Sequence, residues 1–202
     1  MSDYPWYEEV PCDSAITQGD IIERCPVLGF GEMPNLAELA ATGDLQQLVE
    51  ALEDSVDGIY ARTIVMSQAC DLENEKVTNV ILCPIHPEDA LRPEWERDMT
   101  AANQKPTDKA WKSFLKNLRD GRVWNLALLE GRPAADAVTP SVPRQVVDFQ
   151  LIYTLPRTFL TVVAGLNPGT RLRLLPPYRE HLSQAFARYF MRVGLPEDIK
   201  IE

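Results

Sequence analysis

The stretch "ARTIVMSQACDLENEKVTNVILCPIHPE", residues 61 to 88, gathers a hydroxyl, a thiol, a carboxylate and an imidazole. Ser67, Gln68, Cys70 and Asp71 close its first apolar run, and Cys83, Pro84 and His86 close its second. Ser67 and Cys70 are nucleophile types, and His86 brings an imidazole, the side-chain type suited to carrying protons near neutral pH. The same residues also suit the polar ends of a hairpin. There Ser67, Gln68 and Asp71 would tie down the turn through side-chain to backbone hydrogen bonds. Cys70 as nucleophile has Asp71 against it, because a neighbouring carboxylate disfavours a thiolate. A zinc site from the four cysteines, Cys12, Cys25, Cys70 and Cys83, would need two separated pairs brought together, since no CxxC knuckle is present. Buried thiols are the default, and neither a metal nor another cofactor is expected.

Two strands must position these groups. "IYARTIVMSQACD" and "KVTNVILCPI" are rich in β-branched residues and joined by the short polar "LENE", which predicts an antiparallel pair. Their centres are apolar throughout, as expected of strands buried on both faces. Further strands are expected near 19–24, 122–129, 144–155, 158–164 and 170–175, beside those at 61–68 and 77–85. Along 144–155, Val147, Phe149, Leu151 and Tyr153 alternate with Asp148 and Gln150, predicting one continuous strand. Two helical insertions are expected. In 34–57, Leu45, Leu48, Val49 and Leu52 keep helical spacing after a break at Gly43-Asp44. In 88–120, Thr107 caps a helix with a Trp111, Phe114, Leu115 and Leu118 stripe. A C-terminal helix over 177–194 carries Leu182, Ala185, Phe186, Tyr189, Phe190 and Val193. Together these predict an α+β fold: one domain over 1–202, a small and mostly antiparallel β-barrel with helical additions.

The bulk properties bound the function. With 202 residues and 45% hydrophobic content the chain can bury a core. No apolar stretch approaches the ~18 residues of a membrane span. The acidic start "MSDYPWYEEVPCD" lacks a signal-peptide core, so a cytoplasmic protein with reduced cysteines is expected. A net charge of −10 argues against broad nucleic-acid affinity. The charge is split: residues 1–60 hold thirteen acidic residues and one basic residue, Arg24, whereas 144–195 hold seven arginines against Asp148 and Glu180. Arg171 and Arg173 alternate on one strand, and Arg188 and Arg192 are four apart on the last helix. These four are candidates to hold phosphates or an acidic partner, or to pair internally with the acidic third.

Four segments, "GDII" (19–22), "ARTIVMS" (61–67), "VILCPI" (80–85) and "RQVVDFQLIYTLP" (144–156), resemble the barrel strands of the MazF/PemK family of toxin ribonucleases. The resemblance implies an SH3-like barrel, a homodimer and a setting in bacterial stress or phage defence, as in toxin–antitoxin systems. It places the family's basic catalytic residue at Arg62. The family's hydroxyl, just after the third strand, falls here on His86, a departure that retains a proton-transfer group. Arg62 would supply phosphate charge and His86 the proton transfer of metal-independent RNA cleavage, with Ser67 nearby. The helical segment 34–57 replaces the family's short first loop, and the last helix is longer than the family needs. Two readings follow: an accessory or regulatory protein binding a protein partner or RNA, and an active endoribonuclease using Arg62 and His86. A thiol- or zinc-dependent enzyme using Cys70 is the third.

Overall fold

The computed structural model describes residues 5–31, 35–133 and 141–191. In chain order the elements are β1 (Tyr7–Pro11), β2 (Ile21–Phe30), α1 (Leu36–Thr42), α2 (Leu45–Asp54), β3 (Val56–Val65), α3 (Ala69–Glu73), β4 (Asn79–Pro87), a 3-10 turn (Glu88–Leu91), α4 (Arg92–Ala101), α5 (Asp108–Arg119), β5 (Leu126–Leu129), β6 (Gln145–Asp148), β7 (Tyr153–Pro156), α6 (Arg157–Leu166), β8 (Thr170–Leu174) and α7 (Tyr178–Phe190).

The fold is α+β, and its strand pairings are antiparallel. β4 is the hub. One edge pairs with β3, through Thr63↔Pro84, Ile64↔Cys83 and Val65↔Leu82. The other edge is shared, β7 lying along Asn79–Leu82 and β6 along Ile85–Pro87. β2 extends the sheet beyond β3, and β5 extends it beyond β6. β1 and β8 form a separate ribbon that meets the start of β2 at an Asp20↔Arg173 bridge. Among the described residues the ribbon reaches the chain after β5 through side chains: the Tyr7 hydroxyl donates to the Glu130 carbonyl at 2.9 Å and Arg132 pairs with Glu9 at 2.7 Å. Among the described residues no strand pairing closes this curl into a barrel.

Alternation along β3 and β4 feeds two cores. Ile64, Cys83 and Ile85 point into one, with Ile21, Val147, Phe149, Leu172, Leu174 and, from α7, Leu182. Val65, Val80 and Leu82 point into the other, with Ile22, Cys25, Leu72, Leu160 and Ala164. The unbroken apolar run of these strands therefore reflects burial on both faces.

Several expectations change. The segment 158–164, expected as a strand, lies within helix α6. Its β-branched residues favour a strand, but Leu160 and Ala164 are buried against the second core while Val162 between them is exposed, a pattern that a helix gives and a strand does not, and tertiary packing overrides the propensity. The continuous strand over 144–155 is interrupted. Asp148 Oδ1 accepts the Gln150 amide at 2.8 Å, Asn125 holds the Gln150 side chain, and Leu151 is left exposed while β6 and β7 take adjacent stretches of β4. The strand at 122–129 is confined to Leu126–Leu129. β1 had no counterpart in the sequence reading, because its outward Glu8 and Glu9 mask a buried Tyr7 and Val10. The "LENE" link is not a tight hairpin turn: Leu72 and Glu73 end α3, and Asn74 caps it. The 88–120 insertion is two helices, clamped by Trp95 packing at 5.1 Å on Trp111 and 6.1 Å on Phe114. Thr107 caps the second as expected. Gly43, at φ +68°, separates α1 from α2.

Candidate interaction surface

The proposed catalytic pair is split by the sheet. Arg62 shares strand parity with Ile64, on the side of the first core, and its charge reaches the buried Tyr7 hydroxyl. His86 shares parity with Leu82 and sits opposite Val146, on the other side. Successive side chains point to opposite faces, so the two do not converge on one phosphate. Arg62 is also ion-paired, with Nε 2.6 Å from Glu23 Oε1. Ser67 is buried, and its Oγ accepts the Ile81 amide at 2.8 Å, continuing the ladder where Met66 donates to Ile81 O. Its hydroxyl is committed to the turn, one of the roles the sequence left open.

Arg171 and Arg173 are consumed internally. Arg171 is 4% exposed and Asp20 fully buried. Arg171 Nε donates to Asp20 Oδ2 at 3.0 Å, and its two terminal nitrogens donate to the carbonyls of Pro11, Cys12, Ser14 and Ala15 at 2.7–3.0 Å. Arg173 donates to Asp20 Oδ1 at 2.5 Å, to Oδ2 at 3.1 Å and to Ala15 O at 2.9 Å. The Asp20 hydrogen bond, the largest influence, holds the Arg173 guanidinium above its usual range. The planar five-donor fork of arginine suits this role: it fastens the 11–15 loop onto the sheet through four loop carbonyls and the Asp20 carboxylate. Of the other two tail arginines, Arg188 is exposed beside a groove of about 390 Å³ with Trp6, Tyr178 and His181, and Arg192 lies outside the described residues. Trp6 and Tyr178 stack at 3.8 Å.

The thiols do not assemble. Cys25 belongs to the second core and Cys83 to the first. Burial raises both, Cys83 to about 12, with Asp148 adding to the effect at Cys83. Such thiols stay protonated and unreactive. Cys70 is exposed, its Sγ 3.7 Å from Gln68 and 3.8 Å from Asp71. Among the described residues no group of three or more His, Cys, Asp or Glu is placed to hold a metal, and no helix is long and apolar enough to cross a membrane.

What the sequence reading passed over is the outer half of the β2–β3 hairpin with α1 and α2 at its tip. A bulge at Glu23-Arg24, with Arg24 at φ +49°, marks its root, and Arg24 lies 5.7 Å above the Tyr60 ring. Beyond that point the ribbon pairs Pro26↔Tyr60 through Phe30↔Val56 with Leu28 77% and Tyr60 72% exposed. α2 is amphipathic, capped by Asp44 accepting from Gln46 N and Gln47 N, yet none of its residues is buried. Its Leu45, Val49 and Leu52 stripe is 72%, 39% and 39% exposed. Apolar stripes on surface helices ordinarily face a core. This one faces solvent, and contiguous apolar surface of that kind marks a contact site. At the root, Tyr60 joins Phe159, Val162 and Leu166 of α6 around a groove of about 820 Å³. The signal was present in the sequence as an amphipathic helix inside an acidic third, but amphipathicity alone does not say whether the stripe is covered. Comparison with protein-family models, with curated proteins and with solved structures finds no match.

Proposed function

We propose that this chain is an accessory or regulatory protein that acts by binding another macromolecule, through the arm formed by α1, α2 and the outer β2–β3 ribbon. The observation that carries the reading is the solvent-facing Leu45/Val49/Leu52 stripe on a helix with no buried residue. The sheet is proposed to be a divergent MazF/PemK-like, SH3-like curl used as a scaffold. Supporting that, the four resembling segments lie in β2, β3, β4 and β6–β7, neighbours in one antiparallel sheet, and Tyr7 and Arg132 draw β1 toward the chain after β5. The same resemblance supports a setting in bacterial stress or phage defence.

The endoribonuclease alternative asks Arg62 and His86 to act on one phosphate, and the parity of β3 and β4 weighs against it. Incubation of the purified protein with RNA in the presence of chelator separates the readings. Intact RNA is expected. Cleavage that disappears in His86→Ala overturns the binding reading.

A further inference from the structure

We propose that the occupant of the arm is a cationic amphipathic polypeptide segment laid on the Leu45/Val49/Leu52 stripe. The inference rests on the binding reading above and names its partner class. Two independent features of the arm define the occupant. The first is apolar: Leu45, Val49 and Leu52 repeat at helical spacing, and Leu28, Val56 and Tyr60 share one face of the outer ribbon that carries α1 and α2. A partner must bring an apolar stripe of its own, as a helix laid in a groove does.

The second feature is charge. Residues 25–60 contain seven acidic residues, Glu32, Glu38, Asp44, Glu50, Glu53, Asp54 and Asp57, and no Lys, Arg or His. Elsewhere several surface carboxylates pair with arginine, as in Glu9–Arg132, Glu23–Arg62, Glu75–Arg157 and Glu88–Arg144, while others such as Glu73, Glu94 and Asp98 enter no ion pair among the described residues. On the arm, Glu38, Glu50, Glu53, Asp54 and Asp57 enter no ion pair among the described residues. Glu53 flanks the stripe on α2, next to Val49 round the helix, while Glu50 and Asp54 stand on the polar side of the same helix. A helix whose only charges are negative and which carries an apolar strip steers a partner of opposite sign and disfavours like charge. RNA brings phosphates and is repelled. A second copy docking arm to arm brings the same seven carboxylates and is repelled too. A lysine- or arginine-bearing amphipathic segment satisfies both features.

The test uses the full chain and four labelled probes: a helical Leu/Lys peptide, a scrambled peptide of the same composition, a Leu/Glu peptide and a single-stranded RNA. Binding is followed by fluorescence anisotropy. The Leu/Lys helix binds, and its affinity falls at least about tenfold as salt rises from ~0.01 M to ~1 M, where the screening length shrinks from ~30 to ~3 Å. Leu45→Ser/Val49→Ser/Leu52→Ser weakens it about tenfold or more, a single decade corresponding to ~1.4 kcal/mol. Glu50→Gln/Glu53→Gln/Asp54→Asn weakens it similarly and flattens the salt dependence. This second variant keeps the stripe and the helix-forming tendency of α2, so it decides the matter if the first variant melts the helix. Binding unchanged in the charge variant, equal binding of the scrambled peptide, absence of Leu/Lys binding at low salt, binding of the RNA, or concentration-dependent self-association through the arm each overturns the proposal. Binding of the Leu/Glu peptide that the stripe variant abolishes overturns the partner class and leaves the docking reading standing. Cleavage of RNA overturns the docking reading itself.

Discussion

Replacing Asp20 with asparagine is expected to be among the most damaging single substitutions in the molecule, although Asp20 lies outside the α1–α2 arm. The carboxylate is fully buried and accepts from Thr17 N at 3.0 Å, Arg171 Nε at 3.0 Å, and Arg173 at 2.5 and 3.1 Å. Asparagine keeps the shape, removes the negative charge and turns an amide NH2 toward two guanidiniums. Arg171 cannot escape to water, because its other donors are held by four carbonyls of the 11–15 loop. Removing one partner of a buried pair costs about 3–5 kcal/mol, since the remaining charge stays desolvated. A folded domain has only ~5–15 kcal/mol in total. At ~2–4 °C of Tm per kcal/mol for a chain of this size, Asp20→Asn lowers Tm by roughly 6–20 °C. Arg171→Lys, which offers three donors in place of the five used, is expected to fall in the same range. The assay is thermal and urea unfolding by circular dichroism, with the exposed pair variant Arg92→Ala as a control that stays near wild type. If both Asp20→Asn and Arg171→Lys also unfold within about 2 °C of wild type, the buried network is not what holds the loop to the sheet.

Three further outcomes follow from the packing. Leu160→Ala costs about 2–5 kcal/mol and Val162→Ala under about 0.5, because α6 buries the first and exposes the second; a strand over 158–164 would put both on one face and make both costly. Native protein treated with a thiol reagent labels Cys70 quickly, whereas Cys12, Cys25 and Cys83 react only after unfolding, giving one fast thiol of four. Stability is full at neutral pH and falls as pH rises past the ordinary thiol and phenol values of 9.0 and 10.0, because burial raises Cys83, Cys25, Tyr7 and Tyr153 in the fold and the unfolded chain loses those protons first. Tyr7→Phe softens this alkaline decline and costs about 1 kcal/mol at pH 7 for the lost hydrogen bond to Glu130.

The antiparallel β3–β4 pair was legible because its β-branched centres bury on both faces, and that pattern has few other solutions. The amphipathic helices were legible from Leu45 to Leu52 and from Trp111 to Leu118, where spacing and caps agree. The segment at 158–164 misled because Val162 and Val163 favour a strand locally, while Leu160 and Ala164 decide the matter through contacts made only in the folded chain. The placement of the candidate site residues was illegible for a similar reason. Arg62, Ser67 and His86 are close in type and in sequence, but strand parity and pairing direct their side chains, and those depend on register. Arg171 and Arg173 read as a basic strand face because the sequence does not reveal the carbonyls and the single carboxylate, 151 residues away in the chain, that occupy them. Whether the α2 stripe is covered or bare is likewise a property of the fold.

The most direct measurement is amide hydrogen exchange of the full chain with and without the Leu/Lys peptide. Added protection confined to residues 45–60, in α2 and the start of β3, is the predicted result. Protection at the strand ends near Arg62 and His86, with 45–60 unchanged, would contradict the account.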